Sequence, residues 1–235
     1  MGKLLFTILI FFSCSKSGDQ MVSFEKPDNF EVERPTYSYL ALGDSYTVGE
    51  SVTSKSSFPK QLEKSLEASL RIKVQTQILA KTGWRTDNLL DAIETADLKT
   101  SYDFVTLLIG VNNQYQDIPF ARYEKEFPEL LSHAIKLANG NSAKVIVVSI
   151  PDWGFTPFGK NRDRQKISAE IDLYNSFAKK VAEDSQVHFI NITDISREGL
   201  ERPELVANDG LHPSKEAYKL FVERIGPIIS PRLKD

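Results

Sequence analysis

The chain has 235 residues, 41% of them hydrophobic and 26% charged, with a net charge of −3. That balance is ordinary for a soluble globular protein and provides no cluster of positive charge for nucleic acid. The single cysteine, Cys14, excludes an intrachain disulfide, and three scattered histidines (His133, His188 and His212) without a Cys-x-x-Cys pair make no metal-ligand set.

Met1-Gly2-Lys3 is a short positive start, and Leu4 to Phe12 is almost wholly apolar. Nine residues are too few for a bilayer span, which takes about 20, but they suit the apolar core of an export signal. Ser13-Cys14 follows at once. It resembles the lipobox of bacterial lipoproteins, in which a small residue precedes the lipidated cysteine, although Phe11 and Phe12 stand where aliphatic and small residues are more usual. Residues 1–14 are therefore expected to be a signal ending at a lipidated Cys14, with plain secretion as the alternative. Residues 15–35, rich in Ser, Asp, Glu, Lys and Pro, read as a flexible tether. The expected location is the cell envelope, with the domain held near a membrane by its lipid or, without one, secreted or periplasmic.

From residue 36 onward, apolar strands alternate with amphipathic helices. Tyr39–Leu42 is the first predicted strand, and Gly43 is expected to let the chain turn tightly. A helix begins at Phe58, with Leu62, Leu66 and Leu70 on one face. Ile72–Leu79 is the second strand, and Thr86 opens the next helix with capping residues. The nearly continuous apolar runs Asp103–Ile109 and Lys144–Ile150 suit parallel strands buried on both faces. Helices are predicted at Tyr123–Leu137, Ile167–Val181 and Ala217–Ile229, and a last short strand at Val187–Ile190. The alternation predicts a three-layer α/β/α sandwich around a mostly parallel sheet of about five strands. His133 and His188 fall on a helix and a strand and read as structural.

Four stretches carry polar residues suited to chemistry. Gly43-Asp44-Ser45 follows the first strand, at the sheet edge where open α/β folds bind ligands. Ser45 there is either a nucleophile or a helix cap. Lys81-Thr82-Gly83-Trp84 follows the second strand and Gly110-Val111-Asn112-Asn113 the third. A tetrahedral oxyanion needs donors aimed at it; Gly83 can bring its N–H close without a side chain in the way, and Asn112 can add an amide. Asn208-Asp209-Gly210-Leu211-His212-Pro213 precedes the last helix. It either caps that helix, with Pro213 at an early helical position, or supplies a base, His212, and the acid that orients it, Asp209.

Together the four blocks resemble the SGNH hydrolases, also called the GDSL esterase and lipase family, from about Tyr37 to the end of the chain. Tyr46 stands where Leu is commonest after Gly-Asp-Ser, and Asn113 where Gly-x-Asn is commonly followed by Asp. The resemblance implies a flavodoxin-like SGNH hydrolase domain over 36–235 with Ser45 as nucleophile, His212 as general base and Asp209 as its orienting acid. It also implies an oxyanion hole from the N–H groups of Ser45 and Gly83 and the amide of Asn112, and no cofactor or metal. Asp44 is expected to brace its loop by hydrogen bonding. The irregular, aromatic stretch Pro151–Gly159 is expected to wall the site, giving Trp84, Asn113, Tyr115, Trp153 and Phe155 as substrate contacts. With no long apolar insertion to form a lid, the expected substrate is a short-chain or O-acetyl ester, including esters on carbohydrate. A lysophospholipase or thioesterase-type lipid hydrolase and a non-catalytic glycan-binding lipoprotein are the alternatives. Absence of Gly-x-Ser-x-Gly and Gly-x-Gly-x-x-Gly removes the main support for α/β-hydrolase and dinucleotide-binding readings.

Overall fold

The computed structural model describes residues 33–233. The predicted signal, Cys14 and all but the last residues of the predicted tether lie outside them. Residues 34–233 form one compact unit.

Five strands form one wholly parallel sheet in the order β2-β1-β3-β4-β5: β1 Thr36–Gly43, β2 Lys73–Ala80, β3 Phe104–Leu108, β4 Val145–Val148 and β5 His188–Ile190. Every residue of β3 and β4 is buried, as expected of a parallel strand covered on both faces. The edge strand β2 is only partly buried and carries Lys73, Gln75 and Gln77.

The longer helices are α2 Phe58–Leu70, α3 Thr86–Thr95, α5 Phe120–Leu137, α6 Arg164–Asp184 and α8 Lys215–Ile229. They fall into two groups: α2 packs on α8, while α5 packs on both α3 and α6. Crossovers between parallel strands are right-handed. The chain moves one way along the sheet from β1 through α2 to β2, and the other way from β3 through α5 and α6 to β5. The two helix groups therefore lie on opposite faces, which makes three layers. Leu62 and Leu66 of α2 and Phe127, Leu130, Leu131 and Ala134 of α5 supply the buried stripes expected from their spacing.

Three short helices were not predicted: α1 Ser45–Val48, α4 Val111–Tyr115 and α7 Thr193–Arg197. Each has four or five residues, too few for a hydrophobic period to register. Two of them hold functional candidates. Gly43 pairs with Ala80 on one side and Leu108 on the other, so β2, β1 and β3 end level. The strand order reverses at β1, the switch point where α/β sheets open a crevice at their carboxyl edge. Ser45, Gly83 and Asn112 all follow strands that end there.

Candidate active site

The two alternatives for Ser45 part at this edge. Asp44 is the helix cap, its Oδ1 accepting from the Tyr46 N–H at 3.0 Å, and Ser45 is the first residue of α1. A first-turn residue has a backbone N–H with no partner inside the helix. Gly43 permits the expected tight turn by lacking a side chain and not by a left-handed φ. A Cβ at this position would stand 2.1 Å from Thr47 Oγ1 and 2.4 Å from the Leu108 carbonyl oxygen, so only glycine lets α1 fold back against the strand ends.

Ser45 and His212 are 167 residues apart, yet the His212 Nε2 lies 3.0 Å from Ser45 Oγ. On the other side of the ring, Nδ1 lies 2.6 Å from Asp209 Oδ2. Asp209 Oδ1 accepts from the N–H groups of Leu211 and His212, each at 3.0 Å, so the carboxylate organises the loop that presents the ring. Gly210, with φ at +73°, lets this loop close, and its carbonyl accepts from Phe158 N–H. Pro213 is not an early helical residue. It bridges to Val206, and Ser214 caps α8. Burial alone would raise the Asp209 pKa, but hydrogen bonds from Ser51, His212 and the two amides outweigh it and hold the carboxyl well below its ordinary range. The carboxylate therefore stays charged, facing the ring.

The tyrosine that departs from the family's usual leucine has a visible place. Tyr46 is buried, with its ring centroid 5.1 Å from that of His212 at a tilt of 53°, closing one side of the base. Ser45 and His212 are themselves 4% and 7% exposed.

Gly83 has φ at +83°, and no atom lies within 4 Å of where its Cβ would be. Its N–H donates to no protein acceptor among the described residues, while its carbonyl accepts from Gln116 Nε2 at 3.1 Å. Asn112 Nδ2 donates to the Trp84 carbonyl at 3.0 Å. An amide nitrogen carries two hydrogens, so this bond orients the group and leaves a second donor. Gly110, at φ +126° and without space for a Cβ beside Tyr123, opens α4 and so sets Asn112.

An open pocket of about 350 Å³ brings Ser45, His212, Gly83 and Asn112 together with Tyr115, Trp153 and Phe158. Of the five expected substrate contacts, Tyr115 and Trp153 line it. Asn113 does not: it is fully buried, accepting from the Thr86 N–H and donating to the Thr86 hydroxyl, and so anchors α3 where an aspartate is commoner. Trp84 packs partly buried against the core and contributes only its carbonyl. Phe155 is also outside the lining, its ring covered by the Arg164 guanidinium at 5.0 Å. Phe158, within the stretch expected to wall the site, lines it as well, whereas Tyr46, Thr82, Val111, Gln116 and Leu211 were not anticipated there. Exposure singles out Phe158 and Tyr115, at 41% and 45%, as two of the three large hydrophobic side chains open to solvent among the described residues.

Asp44 is fully buried, and its Oδ2 has no hydrogen-bond partner. Burial pushes its pKa up from 3.8 to about 7. A folded-state pKa above the unfolded one favours the fold while the group is neutral in both states, and that contribution is lost as pH rises through the folded value. The wild type should therefore lose stability between about pH 4 and pH 7 relative to Asp44→Asn, which keeps the acceptor for Tyr46 but cannot ionise. Urea midpoints of both proteins across that range test this; identical pH slopes would sink it.

The family model for GDSL-like lipase/acylhydrolase matches residues 41–220. No curated protein matches the sequence. Among solved structures, a variant of an acetyl xylan esterase from Geobacillus stearothermophilus superposes with a TM-score of 0.65 at 18% identity, over 84% of this chain and 96% of that one. A lipase/acylhydrolase from Enterococcus faecalis gives 0.64 at 20% identity, over 83% and 96%. A psychrotrophic esterase from Pseudoalteromonas sp. gives 0.58 at 18%, over 85% and 100%. At such identities the likeness is one of fold.

Proposed function

The chain belongs to the GDSL-like lipase/acylhydrolase family, and from that premise we propose that it is a serine esterase working through an acyl-enzyme on short-chain or O-acetyl esters carried by carbohydrate. The observation that carries the mechanism is the continuous relay from Ser45 Oγ through the His212 ring to Asp209, at 3.0 and 2.6 Å. Ser45 Oγ attacks the ester carbonyl carbon while His212 Nε2 takes its proton. Electrons of the carbonyl move onto its oxygen, which receives hydrogen bonds from the N–H groups of Ser45 and Gly83 and from Asn112 Nδ2. The tetrahedral intermediate collapses, the bond to the alcohol oxygen breaks, and that oxygen takes the proton from His212. Water, deprotonated by the same ring, then attacks the acyl carbon. Ser45 Oγ leaves, regains its proton, and the carboxylic acid departs.

The substrate reading rests on the surroundings of the pocket. Tyr115, Trp153 and Phe158 form an aromatic cluster at its mouth, Tyr115 meeting Trp153 edge-on at 5.3 Å. Such rings accept either a sugar face or an acyl chain. Past Tyr115 and Gln116 lies a second hollow of about 370 Å³ with Asp117, Arg162, Asp163, Lys166 and Glu170 around it. Charged walls disfavour a long apolar chain, whose burial there would leave those groups unsolvated, and they offer hydrogen bonds to a polyhydroxylated alcohol. The acetyl xylan esterase among the structural neighbours supports the same direction.

Hydrolysis of p-nitrophenyl esters from acetate to decanoate tests this. We expect kcat/KM to be highest for acetate to butyrate and to fall with chain length, with acetate also released from acetylated oligosaccharides. A value that rises through octanoate would overturn the substrate reading in favour of a lipid ester.

A further inference from the structure

The residues just after α1 make contacts that the relay itself does not require. Val52 N–H donates to the Gly49 carbonyl at 3.3 Å, closing a turn with Glu50 and Ser51 at its two central positions. The Glu50 carboxylate accepts from the Thr82 hydroxyl, next in the chain to Gly83. Ser51 Oγ donates to Asp209 Oδ2 at 2.6 Å, across 158 positions of sequence. That is the same carboxylate oxygen that faces His212 Nδ1, while the other oxygen is occupied by two backbone amides.

Ser51 has φ at +63°. The second central position of such a turn favours glycine or asparagine, because a Cβ there crowds the backbone. Serine is therefore locally unfavourable at this point, and what it gains is the bond to Asp209. Resting on the proposed relay of Ser45, His212 and Asp209, we infer that Ser51 is a positioning residue: its hydroxyl fixes the carboxylate oxygen that orients the base, and the Glu50–Ser51 turn ties the nucleophile's helix to the loops bearing Asp209 and Gly83.

Two substitutions separate the hydroxyl from the backbone. Ser51→Ala removes the donor and keeps a Cβ in the left-handed conformation; Ser51→Gly removes the donor and relieves it. The glycine variant should melt at the higher temperature of the two. Both should nevertheless lose kcat on p-nitrophenyl acetate to the same extent, five- to fiftyfold, with KM within twofold of wild type, and both should be labelled more slowly by a fluorophosphonate probe. Wild-type kcat in either variant would overturn the inference. So would activity that follows the melting temperatures, recovering in Ser51→Gly, since the backbone and not the hydroxyl would then be responsible. Ser45→Ala run in parallel distinguishes the two levels. If it retains turnover, the relay itself is wrong; if it is inactive while the Ser51 variants match wild type, only the role of Ser51 fails.

Discussion

Ser45→Ala should lower kcat by up to about 10⁶-fold, the scale reached when the nucleophile of a well-studied serine triad is removed. The hydroxyl has one side-chain partner, His212 Nε2 at 3.0 Å, so replacing it by a methyl group leaves the fold with little to repair. His212→Ala should cost a similar factor, since an unassisted hydroxyl is a poor nucleophile at neutral pH. The double variant should be no worse than either single one, because residues acting as a unit are strongly non-additive. The ring of His212 packs against Tyr46, and its loss leaves a void. Melting temperatures should therefore accompany the kinetics for that variant. Independent, multiplying losses for Ser45→Ala and His212→Ala, or more than a tenth of wild-type turnover in Ser45→Ala, would refute the relay.

The second large effect belongs to Asn112→Ala, where kcat should fall about 10²–10³-fold, the range found when one oxyanion donor is removed, equivalent to about 2.7–4 kcal/mol. The loss should appear in kcat with KM little changed, because the donor matters most once charge has developed on the carbonyl oxygen. Asn112 also tethers the Trp84 carbonyl, so part of any effect would come through the Gly83–Trp84 loop. Asn112→Asp removes the tether and the donor together and adds a charge. Aspartate fills the same volume but presents acceptors and a negative charge, so turnover should fall at least as far as in the alanine variant. A loss below tenfold in both, or one confined to KM, would remove Asn112 from the oxyanion hole.

Some of this site can be read along the chain and some cannot. Asp209 and His212 stand three residues apart with Gly210 between, so one loop must present both, and the glycine indicates the turn. Gly43 and Gly110 mark tight places after strands, but the physical constraint differs between them. Gly110 combines a positive φ with a Cβ position blocked by Tyr123, whereas Gly43 is constrained by space alone, through Thr47 and the Leu108 carbonyl, a neighbour contributed by another strand. Asn113 is next to Asn112 and chemically identical to it. Only the direction of the short helix α4 turns one amide toward the pocket and the other inward to Thr86.

The aromatic residues show the same division. Trp84, Trp153, Phe155 and Phe158 all follow strands and have comparable apolar character. Trp153 and Phe158 line the pocket, while Phe155 lies under Arg164 and Trp84 against the core. Ser51 gave no signal at all, because its significance depends on a partner 158 residues away.

What the sequence determined by itself was the layered α/β/α architecture, through the alternation of apolar runs and helical periods, and the four polar blocks, three of them following strands on one edge and the fourth preceding the last helix. These depend on local backbone preference and on which face a residue presents, and both are encoded within a few positions. The tertiary structure alone decided that β1, β2 and β3 end level, that Ser45 meets His212, and which side chains face the pocket. Those outcomes follow from strand register and helix direction, which are set by packing of the whole core and by no single stretch of the chain.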